Sequence, residues 1–307
     1  VPIGESFALA AALCWAIGSV LFARIGKAVS PAAMNLMKCL TAATLLSIAR
    51  VALSSSIAPL HLTPRSTLLL ASSAVIGLSV GDTAYFSSMV RIGPSRAILL
   101  LSAAPVFATI GGVLLLGERV TARTAIAIAV TLAGIALAVT SRDAGDDLAT
   151  EGASAKSNGA IRRRNGVAFG LLAALCQAGG SLLSRRAMSD GIDPLAAAAG
   201  RVGIGAIVLI VSAVLFGQVR RWSREIAVDH AWAKIAAASI VGTFAGIWMA
   251  QVAIARSAST GVATTLLATS PIFALPLAHL VGHERARPRG VFAAIIAVLG
   301  VALLTVR

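Results

Sequence analysis

Acidic residues are scarce in this chain. Asp and Glu together number 12 in 307 residues, and charged residues of both signs make up only 12%. A soluble domain carries about 25%. Half that density cannot clothe a water-facing surface, so the solvent for most of the chain is lipid. Aromatic residues are also few, at 5%, with a single tyrosine, which leaves little material for an aromatic cage around a bulky cation. The three cysteines, Cys14, Cys39 and Cys176, lie inside apolar runs without paired spacing. They read as small buried hydrophobes and carry no redox information. No nucleotide-binding loop is present: "GRVGIG" (200–205) lacks the glycine order and the strand–turn–helix context such a loop needs, and reads as close helix packing.

What is there in quantity is apolar sequence, 58% of the chain, with a mean hydropathy of +0.90. It comes in runs of about 20 nearly uncharged residues, the length at which a helix crosses a hydrocarbon core. The runs do not alternate in period two, which excludes a transmembrane β-barrel. The sequence predicts an all-α polytopic membrane protein with ten transmembrane helices near 5–24, 31–53, 67–90, 95–116, 122–140, 166–184, 194–216, 232–255, 260–281 and 288–306. The first run lacks a basic leader and reads as a span, not a cleaved signal. The formal charge of +14 comes from Lys and Arg gathered at span ends, where they anchor to headgroups. That pattern points to a lipid bilayer as partner and away from nucleic acid.

The chain repeats itself. "AALCWAIGSVLFAR" (11–24) aligns with "AALCQAGGSLLSRR" (173–186), and the Pro31–Lys38 spacing recurs as Pro194–Arg201. Gly77-xxx-Gly81 recurs as Gly242-xxx-Gly246, Pro105–Glu118 as Pro271–Glu284, and Gly134 as Gly300. The same order in both halves marks an internal duplication. The expected organisation is a first five-helix repeat over 1–140, a flexible Gly/Ser/Ala-rich linker over 141–165, and a second five-helix repeat over 166–307. Five is odd, so the second half enters the membrane in the opposite sense. The result is an inverted repeat, a plan that in secondary transporters puts a binding site near the midplane between the halves.

These residues resemble the drug/metabolite transporter superfamily, and within it the EamA-type branch. The resemblance rests on two five-span halves, each with a basic residue early in its second span (Lys38, Arg201). It rests also on the "LLLGER" (114–119) and "LVGHER" (280–285) endings of the fourth spans, and on "GDTAYFSSMVRIGPSRA" (81–97) at the third-to-fourth junction. It covers nearly the whole chain outside the linker. His283 departs from the pattern, standing where Gly is expected. The resemblance implies membrane transport of small metabolites or drugs, with both termini cytoplasmic. The concentration of Lys and Arg in odd-numbered loops indicates the opposite orientation.

Ionisable groups at depth are expensive and are read first as functional. Lys38 and Asp82 fall at similar depth on helices joined by one loop, so a gated site and a structural ion pair are both open readings. Arg201 is the repeat equivalent of Lys38, and the eighth span has no acid corresponding to Asp82. Tyr85, Gln251, Trp15 and Gln177 are candidate polar lining. Pro105 and Pro271 should break their helices and free the carbonyls of Leu101 and Leu267, with Ser102, Thr265, Thr269 and Ser270 nearby to satisfy them and line a cavity. Packing kinks are the alternative. Glu118 and Glu284 read as turn caps at opposite faces, with gating as the alternative. His279 and His283 are too few ligands for a metal, and no cofactor is expected.

The expected activity is secondary transport, in the export direction, of small organic solutes such as amino acids across the cell's inner membrane. It would work by alternating access, with protons as the candidate coupling ion. A multidrug cation exporter is the nearest rival. An intramembrane enzyme or an assembly factor is the rival from another class, although no convergent catalytic groups support an enzyme.

Overall fold

The computed structural model describes residues 3–53, 63–108, 110, 122–140, 153–256, 263, 266–280 and 288–305. The chain is all-helical, and ten apolar helical segments match the expected spans, six of them long enough alone to cross a bilayer and four shorter. They are α1 (Ile3–Ile25), α2 (Pro31–Leu53), α3 (Pro64–Ile92), α4 (Pro94–Ala108), α5 (Ala122–Thr140), α6 (Ala153–Met188), α7 (Pro194–Leu215), α9 (231–256), α10 (Ser270–Leu280) and α11 (Pro288–Thr305). A short helix, α8 (Val219–Ala227), precedes α9.

Local sequence explains where the helices begin. Pro31, Pro64, Pro94, Pro194 and Pro288 each open one, since proline's missing N–H costs nothing in a first turn. Thr63 Oγ1 accepts from the amide of Ser66 at 3.1 Å, and Asp193 Oδ2 from that of Ala196 at 3.0 Å. Each thereby satisfies an amide the helix cannot. Gly93, at φ 85°, reverses the chain between α3 and α4 in a conformation that a side chain would strain.

Two segments differ from expectation. The helix α6 already begins at Ala153, so the second part of the expected linker is helical. Ala, Arg and Lys there are good helix formers, and they extend a span already nucleated by its apolar part. Residues 141–152 lie outside the described residues. The Arg-rich stretch after α7, read as a loop, forms α8. Its Trp222 is buried and Ile226 packs beside it, one turn apart on one face, while the arginines occupy the other, as in an amphipathic surface helix.

The packing is reciprocal. The first span (α1) lies against the eighth and ninth (α9, α10), and the sixth (α6) lies against the third and fourth (α3, α4). The second packs on the seventh (α2, α7), and the fifth on the tenth (α5, α11). Exchanging the halves reproduces each contact, the signature of a two-fold relation. Small residues make the approach possible. A Cβ built on Gly134 would fall 2.4 Å from the amide nitrogen of Ala297, and one on Gly300 would fall 2.4 Å from that of Thr131. Gly200 and Gly203, by contrast, face open space. Of the "GRVGIG" glycines, only Gly205 meets a neighbouring helix, at Leu78.

Alanines such as Ala8, Ala11, Ala12, Ala16 and Ala174 are fully buried, whereas Ile207, Leu215, Phe216 and Leu299 stand exposed. That inversion of the soluble pattern suits a lipid solvent: small residues pack helices closely, and large ones meet acyl chains.

Candidate functional site

Both long third-type spans are irregular at corresponding places. In α3 the stretch Ala74–Gly81 is π-helical, and in α9 so is Ile240–Ala245. Such insertions loosen the regular hydrogen-bond ladder and recur at functional sites. Asn35 of α2 reaches into the first, donating from Nδ2 to the Leu78 carbonyl at 2.8 Å and to Thr83 Oγ1 at 2.9 Å. Ser79 Oγ ties the same stretch to the Gly205 carbonyl of α7, and Ser73 Oγ to that of Gly180 in α6.

One turn along α2 from Asn35, the Lys38 ammonium is buried and forms an ion pair with Asp82 Oδ2, directly after the π segment. Lys38 Nζ also stands 5.4 Å from the centre of the Phe86 ring, where a desolvated cation gains from the ring's electron-rich face. Phe86 leans on Phe22 at 5.1 Å between centroids.

The second half answers differently at each equivalent position. Arg201 replaces Lys38, and Ile247 takes the place of Asp82. Ser184 and Gln251, joined by a 3.2 Å hydrogen bond, occupy the places of Phe22 and Phe86. Arg201 is 6% exposed. It makes no hydrogen bond or ion pair among the described residues, and its Nε has no partner. Asp82 acts on it only through the field. Gly77 leaves the space for its guanidinium: a Cβ there would lie 3.2 Å from Arg201 Nη2.

These groups share one cavity of about 110 Å³ between the halves. Lys38, Asp82, Arg201, Tyr85, Gln251, Trp15, Gln177 and Ser270 all line it. Sequence reasoning missed Ser19, Ser181, Thr243, Phe22 and Phe86, which line it as well. The aligned "GS" of the two repeats, Gly18–Ser19 and Gly180–Ser181, carried a usable signal for the serines. Asn35, three residues before Lys38, could have been found as a polar residue on the same face.

The proline breaks occur where expected, but they act around the cavity and not on it. The helix α4 is interrupted after Leu101, turning through Ser102 and Ala103 before Pro105. Ser102 Oγ stands 3.3 Å from the Ile98 carbonyl and 3.3 Å from that of Ala268, at the matching break of the ninth span. There Ser270 Oγ donates to the Leu267 carbonyl at 2.6 Å, and Thr269 Oγ1 to that of Leu266 at 2.6 Å. The Ser102 and Thr269 hydroxyls are therefore spent on backbone carbonyls, and neither they nor Pro105 and Pro271 are in the lining, whereas Leu101 is. Thr265, Glu118, Glu284 and His283 lie outside the described residues. No three His, Cys, Asp or Glu side chains converge as a metal site among the described residues.

A second, open cleft of about 780 Å³ lies at the membrane face carrying α8. Arg91, Arg162, Arg221 and Trp222 form part of its wall, and it reaches Thr83, next to Asp82. At its edge Glu225 accepts from the Ser30 amide at 2.9 Å and from Arg221 at 2.8 Å. Partial burial pushes this carboxyl up, but hydrogen bonds from Ser30 and Arg221 outweigh that and hold it below its ordinary value.

Comparison with known proteins agrees with the duplicated helical fold. The model of the EamA-like transporter family matches residues 2–140 and again 164–306. A solved crystal structure superposes with a TM-score of 0.68 over 98% of this chain and 96% of that one, at 18% identity, a likeness that speaks for the fold alone. No curated protein matches the chain. With two matches spanning nearly its full length, the chain belongs to the EamA-like transporter family: it is a multi-pass membrane transporter and not an enzyme.

Proposed function

We propose that the protein is a secondary transporter of small organic solutes, working by alternating access between its two halves around the cavity that holds Lys38, Asp82 and Arg201. The observation that carries this reading is the convergence of three ionisable groups, Lys38 and Arg201 buried and Asp82 partly buried, on one small cavity contributed by both halves. Each charge at the centre of a spanning helix costs about 2.5–3.5 kcal/mol on insertion scales. An architecture that needed only packing would place apolar residues there.

The paired π segments and proline breaks support the same reading. They put irregular backbone around the cavity in both halves, the condition under which broken helices are tolerated at membrane depth. The cleft reaching Thr83 gives the solute an approach from one face. Asp82, the carboxylate among the described lining residues, is the candidate proton carrier if transport is proton-coupled. A cavity of about 110 Å³ falls well below the ~300 Å³ at which drug-sized pockets begin. Its formal charge of one acid against two bases is unsuited to a bulky cation, which ranks the multidrug reading lower.

The test is counterflow in proteoliposomes. Vesicles holding the full chain and preloaded with unlabelled solute should accumulate labelled solute transiently and saturably, for at least one member of a panel of amino acids and small organic acids. Flux no faster than in protein-free vesicles across that panel would overturn the reading.

A further inference from the structure

The two ends of the cavity are chemically unequal, and the inequality specifies a ligand. In the first half the cation has its anion: Lys38 is bonded to Asp82. In the second half the position equivalent to Asp82 is Ile247, so the repeat supplies no acid for the equivalent cation, Arg201. Asp82 does not neutralise both, because it lies beyond ion-pair distance of Arg201. The cavity therefore holds one excess positive charge on a guanidinium that is 6% exposed, lines the cavity and has an unpartnered Nε. A buried charge without a partner is among the costliest features a fold can keep.

We infer that the missing partner is the solute: the transported molecule carries a single carboxylate, which Arg201 binds in the cavity between the halves. This rests on the transport reading above and narrows its substrate class. The chemistry of the arginine fits. Nε and an Nη form a planar edge that takes both oxygens of a carboxylate at once. The Nε of that edge is unpartnered here, while Gly77, by lacking a side chain, leaves room beside Nη2. Gln177 and Gln251 also line the cavity and carry amide donors. Charge balance then orders the candidates. A monocarboxylate brings the cavity to neutrality, an α-amino acid leaves its excess charge in place, and an amide neither balances the charge nor accepts bidentately. The volume restricts the class to compact acids.

The decisive experiment compares purified full-length protein with Arg201→Met, a swap of similar length without charge. Two readouts are used: ligand-induced shift of the unfolding temperature, and inhibition of counterflow. The probes are acetate, lactate and pyruvate, each beside its amide, with alanine, methylammonium and inorganic phosphate. At least one monocarboxylate should stabilise and compete at tenfold lower concentration than its amide, with alanine intermediate. Arg201→Met should weaken that acid at least tenfold without lowering the unfolding temperature of the ligand-free protein, since it removes an unpaired buried charge. Arg201→Lys should recover part of the loss.

The inference fails if acids and amides compete equally, if phosphate or methylammonium exceeds every carboxylate, or if Arg201→Met keeps its affinity within twofold. It fails too if Arg201→Met unfolds at a markedly lower temperature, which would make the arginine structural. In any of these cases saturable counterflow would leave the transport reading standing. Its absence for every solute tried would sink both.

Discussion

Gly18 of α1 and Gly242 of α9 touch backbone to backbone: a Cβ built on either would lie 2.7 Å from the other's Cα. Their repeat equivalents, Gly180 and Gly77, meet in the same way, with a Cβ on Gly180 falling 3.0 Å from the Gly77 Cα. Each contact joins a span of one half to a span of the other, and each lies beside the cavity. At these two crossings the halves meet through glycine backbone.

Replacing Gly18 or Gly180 by Ala should therefore force helices apart, at an overpacking cost of about 1–3 kcal/mol. Gly200→Ala and Gly203→Ala face open space and should instead gain up to about 1 kcal/mol from helix propensity. Unfolding curves in detergent, run on the four variants together, check the opposite signs. Equal effects in both groups would contradict the packing described.

Asp82→Asn strands the Lys38 ammonium without its anion. Breaking a buried pair from one side costs about 3–5 kcal/mol, so this variant should be both unstable and unable to couple transport to a pH gradient. Lys38→Met combined with Asp82→Leu removes both charges and should recover most of the stability while staying inactive in counterflow. If the double variant transports normally, the pair is architectural.

Asn35 spends its amide donors on the Leu78 carbonyl and Thr83 hydroxyl. Asn35→Ala should lose about 1–3 kcal/mol for a buried carbonyl left unsatisfied, and Asn35→Asp, whose carboxylate cannot donate and faces the same acceptors in a buried site, should lose at least as much. Unfolding midpoints of the two variants, measured well above the ordinary carboxylate range, check the order. A clearly more stable Asn35→Asp would show that the bonds to the π segment matter little.

Glu225 gives a pH dependence with a definite sign. Its carboxyl sits below its ordinary value in the folded protein. The tie between α8 and the start of α2 is therefore fully present above the ordinary carboxylate range, and it is lost as pH falls through the depressed folded value. Protection of the Ser30 amide against hydrogen exchange, corrected for intrinsic rate, should fall over that acidic window. Glu225→Gln should lack the transition. A wild-type transition at neutral pH would have the wrong position and would exclude Glu225 as its source.

Much of this was legible in one dimension. Lengths of apolar runs placed the spans, because the bilayer fixes how many residues cross it. Lys38 and Asp82 could be paired on paper because both depths follow from a rise per residue. The helical state of Ala153–Arg164 and of α8 was hidden for a different reason. Polar composition is shared by loops and surface helices, and α8 forms only because Trp222 finds a hydrophobic cluster contributed by distant residues. Ser102 and Thr269 looked like lining because they stand near prolines. Only the direction of each hydroxyl reveals that the backbone takes them.

The sequence by itself determined a ten-span, duplicated membrane protein with buried charge, since hydrophobic length, internal spacing and an odd number of spans per half are properties of the chain alone. Tertiary structure decided which charges are satisfied. Spacing gives a residue's depth along its own helix but not the helix that faces it. Lys38 and Arg201 occupy the same place in their repeats, yet Lys38 pairs with Asp82 while Arg201 has Ile247 at the equivalent of the acid's position. That difference arises only when the halves pack together, and it turns a symmetric pair of basic residues into one neutralised cation and one that awaits a ligand.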